Sequence, residues 1–367
     1  MKRIPKIILL ICVLYLTVCL IVSPHVCMNA GRAAAELCFD SVIPSLFPFF
    51  VCSGLFIALG LAGKAGKYLS VVMRPLYNVP GAGAAALILG IVSGYPTGAV
   101  CAASLYGAGE CTKTEAERLC AFCNNSGPLF IMGVVACGIL HTPQVGKLLY
   151  ISHILSALLC GLCFRFYKYS ERKNHISLPP LGGAGSAKGV SHLGEVIDTS
   201  VITMLRVCSY VILFSVTAAV IPGGRLRPYL HSILEITGGI NALARSIREP
   251  MILLPAISFF IAFSGISVIF QVYSVISPVG LSIAPYIFGK LIQGVFSFII
   301  TYTLLLRFPE TRAVFSDSAA AAASAFAPSP WGTFFAALLS SAAGGIILLI
   351  CAAAAKRLCI RKNGCRG

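Results

Sequence analysis

The sequence predicts an all-α polytopic membrane protein of about eight hydrophobic segments, two of them re-entrant or broken hairpins in an internal, inverted repeat. The first supporting observation is composition: 57% of the 367 residues are hydrophobic and 11% charged, against about 25% charged in a soluble domain. The second is the spacing of the apolar runs, which leaves no stretch long enough for a sizeable polar domain. The third is that two of those runs are interrupted mid-length by Ser-Gly, at Ser93-Gly94 and Ser264-Gly265.

A basic start precedes the first run, 7–23, which reads as an uncleaved first helix entering from the cytoplasm. A polar stretch with Arg32, Glu36 and Asp40 leads to a second span at 42–62, followed by Lys64, Lys67 and Arg74 on the cytoplasmic side. The third run, 84–106, is broken at its centre by Ser93-Gly94-Tyr95-Pro96-Thr97-Gly98. A polar helix at 112–119 opens with Thr112 and Glu115 in capping-box spacing. Glu110, Glu115, Glu117 and Arg118 read as a solvated cytoplasmic helix with local ion pairs, with gating of a pathway as the other account.

Asn124-Asn125-Ser126-Gly127-Pro128 then opens an apolar run to residue 140, and 148–167 is a cleaner span. Residues 168–200 form the longest polar loop. The second half brings spans at 201–221, 251–276 and 283–306, and a last one at 331–355 before a basic tail. Residues 228–248 are amphipathic and suit the membrane interface, with Glu235 placed there. His141 and His153 stand isolated and read as span-end or packing residues.

The charge balance, 28 Lys plus Arg against 12 Asp plus Glu for a formal +16, fits basic loops facing anionic lipid. It also admits an anionic solute. Nucleic acid is excluded as a partner because no polar basic domain exists to hold it. Most of the 16 cysteines lie in apolar runs, where a thiol is a small hydrophobe. Cys120 and Cys123 form a lone C-x-x-C, too little for a metal site. No cofactor motif is legible, and no cofactor or metal is expected.

The interruptions matter because unwound backbone survives inside hydrocarbon only where protein or a wet cavity surrounds it. Half-helices meeting at mid-membrane present N-termini and carbonyls to a solute. Placing Ser93-Gly94 over Ser264-Gly265 gives a repeat offset of 171 residues. With each Ser-Gly at a hairpin tip, three spans separate the hairpins and they enter from opposite faces. Candidate solute-binding residues are therefore Ser93, Gly94, Tyr95, Thr97, Asn124, Asn125, Ser126, Ser264, Gly265 and Gln271. Lys290 and Gln293 join them as polar groups well inside an apolar run, with snorkelling toward the interface as the other account of Lys290.

The motifs 46–50 (LFPFF), 74–76 (RPL), 79–81 (VPG), 93–99 (SGYPTGA), 115–119 (EAERL) and 124–131 (NNSGPLFI) occur in that order. Together they resemble the YlbJ-type sporulation integral membrane proteins of endospore-forming Firmicutes, which carry nucleoside-recognition (Gate) domains. The likeness is dense over 40–170 and loose over 200–305. It implies an N-terminal anchor and short outer loop (1–40), a first Gate-type repeat (41–168), a cytoplasmic loop (169–200), a second Gate-type repeat (201–306), and a loop with a last helix and tail (307–367). It further implies a multi-pass protein of the bacterial cell membrane, at the outer forespore membrane during sporulation, moving dipicolinate toward the spore.

From the residues alone the expectation stops at a carrier for a small polar solute, with lipid as a partner and a homo-oligomer left open. A nucleoside-type carrier and a non-transporting assembly factor remain as alternatives. No H-E-x-x-H, paired intramembrane Asp or Ser/His pair suggests an enzyme, and no Walker motif suggests an ATPase.

Overall fold

The apolar runs fold into helices because backbone groups withdrawn from water must be paired within the segment itself. In the computed structural model, which describes residues 4–59, 61–168 and 191–308, every regular element is helical. The segment 331–355 and most of the loop 168–200 lie outside the described residues.

Helix α1 (Ile4–Val22) turns through 106° into α2 (Pro24–Leu37), whose Pro24 occupies its first turn. A π-helical turn, Cys38–Val42, leads into α3 (Ile43–Ala58), and α4 (Leu61–Tyr77) follows. Then come α5 (Gly83–Ser93), α6 (Thr97–Gly107), α7 (Lys113–Cys123), a π-helical segment Leu129–Ile139, and α8 (Pro143–Phe164). The second half holds α9 (Ser191–Ala219), α10 (Arg227–Leu234), α11 (Ile236–Ser246), α12 (Pro250–Phe263), α13 (Gly265–Ile276) and α14 (Ala284–Arg307).

Four stretches are long and apolar enough to cross a membrane: Pro143–Phe164, Leu193–Ala219, Pro250–Ile276 and Ala284–Arg307. The bent α1–α2 pair makes up to five. Among the described residues, which leave out the expected span 331–355, several other apolar runs fold as shorter helices of 10–17 residues, such as Gly83–Ser93 and Leu129–Ile139.

The run 84–106 doubles back on itself. A β-carbon added at Gly90 would lie 3.1 Å from Gly98 Cα, although a continuous helix would hold these residues about 12 Å apart. Both glycines also press on the Cys123 carbonyl, so the C-terminus of α7 is wedged against the α5–α6 hairpin. Gly94 sits at the tip with φ 91°, a conformation that needs no Cβ.

The second hairpin is not at Ser264-Gly265. Pro250–Ile276 forms one span of 27 residues, interrupted only where Ser264 and Gly265 adopt left-handed φ of 68° and 76°. The segment that doubles back is the amphipathic stretch expected at the interface: Gly239 packs on the backbone of Ser232, with Glu235 at the turn between α10 and α11. The hairpin tips, Gly94 and Glu235, are 141 residues apart, as are the starts of α8 and α14, Pro143 and Ala284. Ser264-Gly265 therefore stands opposite Cys123-Asn124, where α7 ends, a register different from the 171-residue offset.

The capping box forms as expected: Thr112 N donates to Glu115 Oε2 at 2.9 Å, and Glu115 N to Thr112 Oγ1 at 3.3 Å. The rest of that helix is not solvated. Glu117 and Arg118 are buried, and they fasten three elements together. Glu117 accepts from Ser282 N (3.1 Å) and Tyr167 OH (3.2 Å) and pairs with Lys168 (3.5 Å). Arg118 donates to the carbonyls of Asn78 (2.8 Å) and Tyr167 (2.9 Å). Helices α12 and α14 meet through buried hydroxyls, with Ser258 Oγ 2.6 Å from Ser297 Oγ and accepting from Thr301 at 2.7 Å.

Candidate solute site

The two hairpins and two breaks converge. Gly94 at the first tip abuts Gly127, where an added Cβ would lie 2.9 Å from the Gly127 amide nitrogen. In the second half, the carbonyls of Ser232, Ile233 and Leu234 face Gly265 at 3.4–3.5 Å from its Cβ position. A cavity of ≈ 130 Å³ opens between these points. For scale, a dry cavity of about 150 Å³ accommodates a benzene ring.

Its body is apolar: Leu37, Val42, Leu46 and Phe49 line it together with Val207 and Val211 of α9, and Val42 and Leu46 share one packed cluster with these valines. Polar groups gather at the junction of tips and breaks, namely Ser93, Tyr95, Ser126, Glu235, Thr237, Ser267 and Gln271. Ser93 Oγ, Tyr95 OH and Ser126 Oγ are buried and have no hydrogen-bond partner of good geometry in the fold. Such groups are costly unless something fills the space. Among the lining residues Glu235 alone carries a formal charge. It is buried rather than interfacial, and caps α11 by accepting Thr237 N at 2.9 Å and Gly238 N at 2.8 Å.

Of the twelve expected site residues, Ser93, Gly94, Tyr95, Ser126 and Gln271 line the cavity. The other seven lie behind it. Thr97 is buried in the α6 N-terminus with Oγ1 unpartnered. Asn124 and Asn125 turn away: Asn124 Oδ1 accepts Ala99 N (3.4 Å), and Asn125 Nδ2 donates to Phe122 O (2.8 Å). Gln293 Nε2 donates to Asn125 Oδ1 at 2.9 Å, and Lys290 donates to the Asn124 carbonyl and to Gln293 Oε1. Lys290 is wholly buried and does not snorkel. Ser264 reaches Tyr286 OH at 3.1 Å, and Asn124 Nδ2 reaches the same hydroxyl at 3.3 Å, so Tyr286 joins the two breaks. Gly265 contributes only backbone room.

His153 belongs to this framework although it stands alone in sequence. Its Nε2 accepts Ser126 N at 2.9 Å, which places the ring proton on Nδ1. Glu235, Thr237 and Ser267 are cavity residues that sequence reasoning missed. The small residues Ser232, Gly238 and Gly239 around Glu235 were the available sign of a tight hairpin.

These features define a polytopic membrane protein with a buried, solute-sized cavity built from paired hairpins and broken helices. Residues 39–222 match the nucleoside-recognition (Gate) family model, and the chain belongs to that family. It is 32% identical over 328 residues to the sporulation integral membrane protein YlbJ of Bacillus subtilis (strain 168), covering 79% of this chain and 80% of that one. No solved structure matches.

Proposed function

We propose that this chain is a secondary carrier acting in spore formation, which moves dipicolinate across the outer forespore membrane. The observation that carries the carrier reading is the cavity at the meeting point of both hairpin tips and the Ser126-Gly127 break. A ring fits its apolar body, and the unpartnered hydroxyls of Ser93, Tyr95 and Ser126 are donors for a carboxylate. The sporulation setting rests on the likeness to YlbJ, and the energy would come from a gradient.

The hairpins suit an inverted repeat. The broken α7 segment, α8 and α9 lie between them, and three crossings would bring the tips in from opposite faces. One observation favours a second solute class. The lining carries Glu235 and no Lys or Arg, which suits an uncharged, donor-bearing solute of the nucleoside type.

Uptake of labelled dipicolinate and of uridine into vesicles holding the purified protein, with a Ser126→Leu variant beside it, separates these readings. Saturable dipicolinate uptake lost in the variant supports the first. Uridine uptake alone replaces dipicolinate with a nucleoside. Uptake of neither moves the chain to an assembly role in sporulation.

A further inference from the structure

Behind the cavity, the chain carries a buried ammonium whose surroundings are those of a desolvated metal cation. Helix α7 ends at Cys123, and its last carbonyls have no intrahelical donor and carry the negative pole of the helix. In a membrane interior such carbonyls must still be satisfied. In carriers with broken helices, freed carbonyls of this kind coordinate a coupling ion.

Here the Asn124 carbonyl is taken by Lys290 of α14. The same ammonium donates to Gln293 Oε1 at 2.7 Å and stands 5.7 Å from the centre of the Tyr286 ring. No carboxylate pairs with Lys290 among the described residues, so its partners are a carbonyl, an amide oxygen and an aromatic face. At the opposite break the Phe263 carbonyl likewise has a partner from the chain itself, accepting the hydroxyl of Ser264 at 2.6 Å.

We propose that Lys290 is a tethered cation occupying the place at the broken α7 where an alkali-metal ion would otherwise bind, so that the protein works without sodium or potassium. The proposal concerns the framework behind the cavity and holds for any solute.

The test is thermal unfolding of the full-length purified protein in sodium, potassium and choline chloride, repeated for Lys290→Ala with methylammonium chloride added. The wild type is expected to unfold at the same temperature in all three salts. Lys290→Ala is expected to lose several degrees and to regain part of the loss in methylammonium or sodium, but not in choline. A wild type stabilised by sodium or potassium over choline overturns the proposal. So does a Lys290→Ala protein that is as stable as wild type, or one that no small cation restores. If Lys290→Ala cannot be purified, the wild-type salt series decides alone. Because unfolding is read without any solute, failure here is distinct from failure of the carrier assignment.

Discussion

After α7 the chain runs through four residues, Asn124 to Gly127, before helical geometry resumes at Pro128, whereas α12 and α13 are parted only by the left-handed pair Ser264 and Gly265. The longer break is held by side chains from elsewhere: Lys290 on the Asn124 carbonyl, His153 on the Ser126 amide and Gln293 on Asn125. The shorter one is held by its own serine hydroxyl and by Tyr286. A wide opening of the backbone exposes more orphan groups, and the chain has met that need with a buried polar network. A left-handed pair with helix resuming at once opens little and needs little.

The largest expected effect tests the hairpin behind the first break. A Cβ at Gly90 would lie 1.8 Å from the Cys123 carbonyl, a backbone atom with nowhere to go. Gly90→Ala should therefore prevent the folded state, read as loss of a monodisperse peak in size-exclusion chromatography. Next comes Asn125→Leu, which strands the Gln293 amide and the Phe122 carbonyl. At about 1–3 kcal/mol for each orphaned group, several kcal/mol of stability should go, with transport abolished and membrane insertion kept.

Glu235→Gln is milder for folding because an amide oxygen still caps α11. It should weaken the apparent affinity for a donor-bearing solute by about tenfold, measured as KM in vesicle uptake. An unchanged KM would remove Glu235 from the solute's contacts. The smallest effect is expected at Gly265, where the nearest atoms to an added Cβ are 3.4 Å away and only the φ of +76° resists. Gly265→Ala should cost about 1 kcal/mol and leave transport intact. A Gly265→Ala protein as damaged as Gly90→Ala would erase the contrast between the two halves.

Much of this was legible from residues. The Thr112–Glu115 cap, the Asn124–Pro128 break and the doubling at Gly94 follow from local chemistry that reads directly. Glu235 did not, because an acid among Leu and Ile at helical spacing looks the same whether its helix lies on a surface or folds against a partner. Gly90 and Gly98 carry no mark in the sequence of what packs on them; the answer is the end of α7. Lys290 was equally opaque, since distance along a span does not show which carbonyl waits across the interface. The apolar wall at Leu37, Val207 and Val211 carries no mark distinguishing cavity from lipid.

The Tyr286 hydroxyl has one further meaning. The Ser264 proton goes to the Phe263 carbonyl, so Tyr286 must give its own proton to Ser264 while accepting one from Asn124. The bonds thus run in one direction from the first break to the second, so a shift at either break costs a hydrogen bond at Tyr286. Under the carrier reading proposed above, Tyr286 is then the one side chain through which the two breaks share a hydrogen-bonded chain.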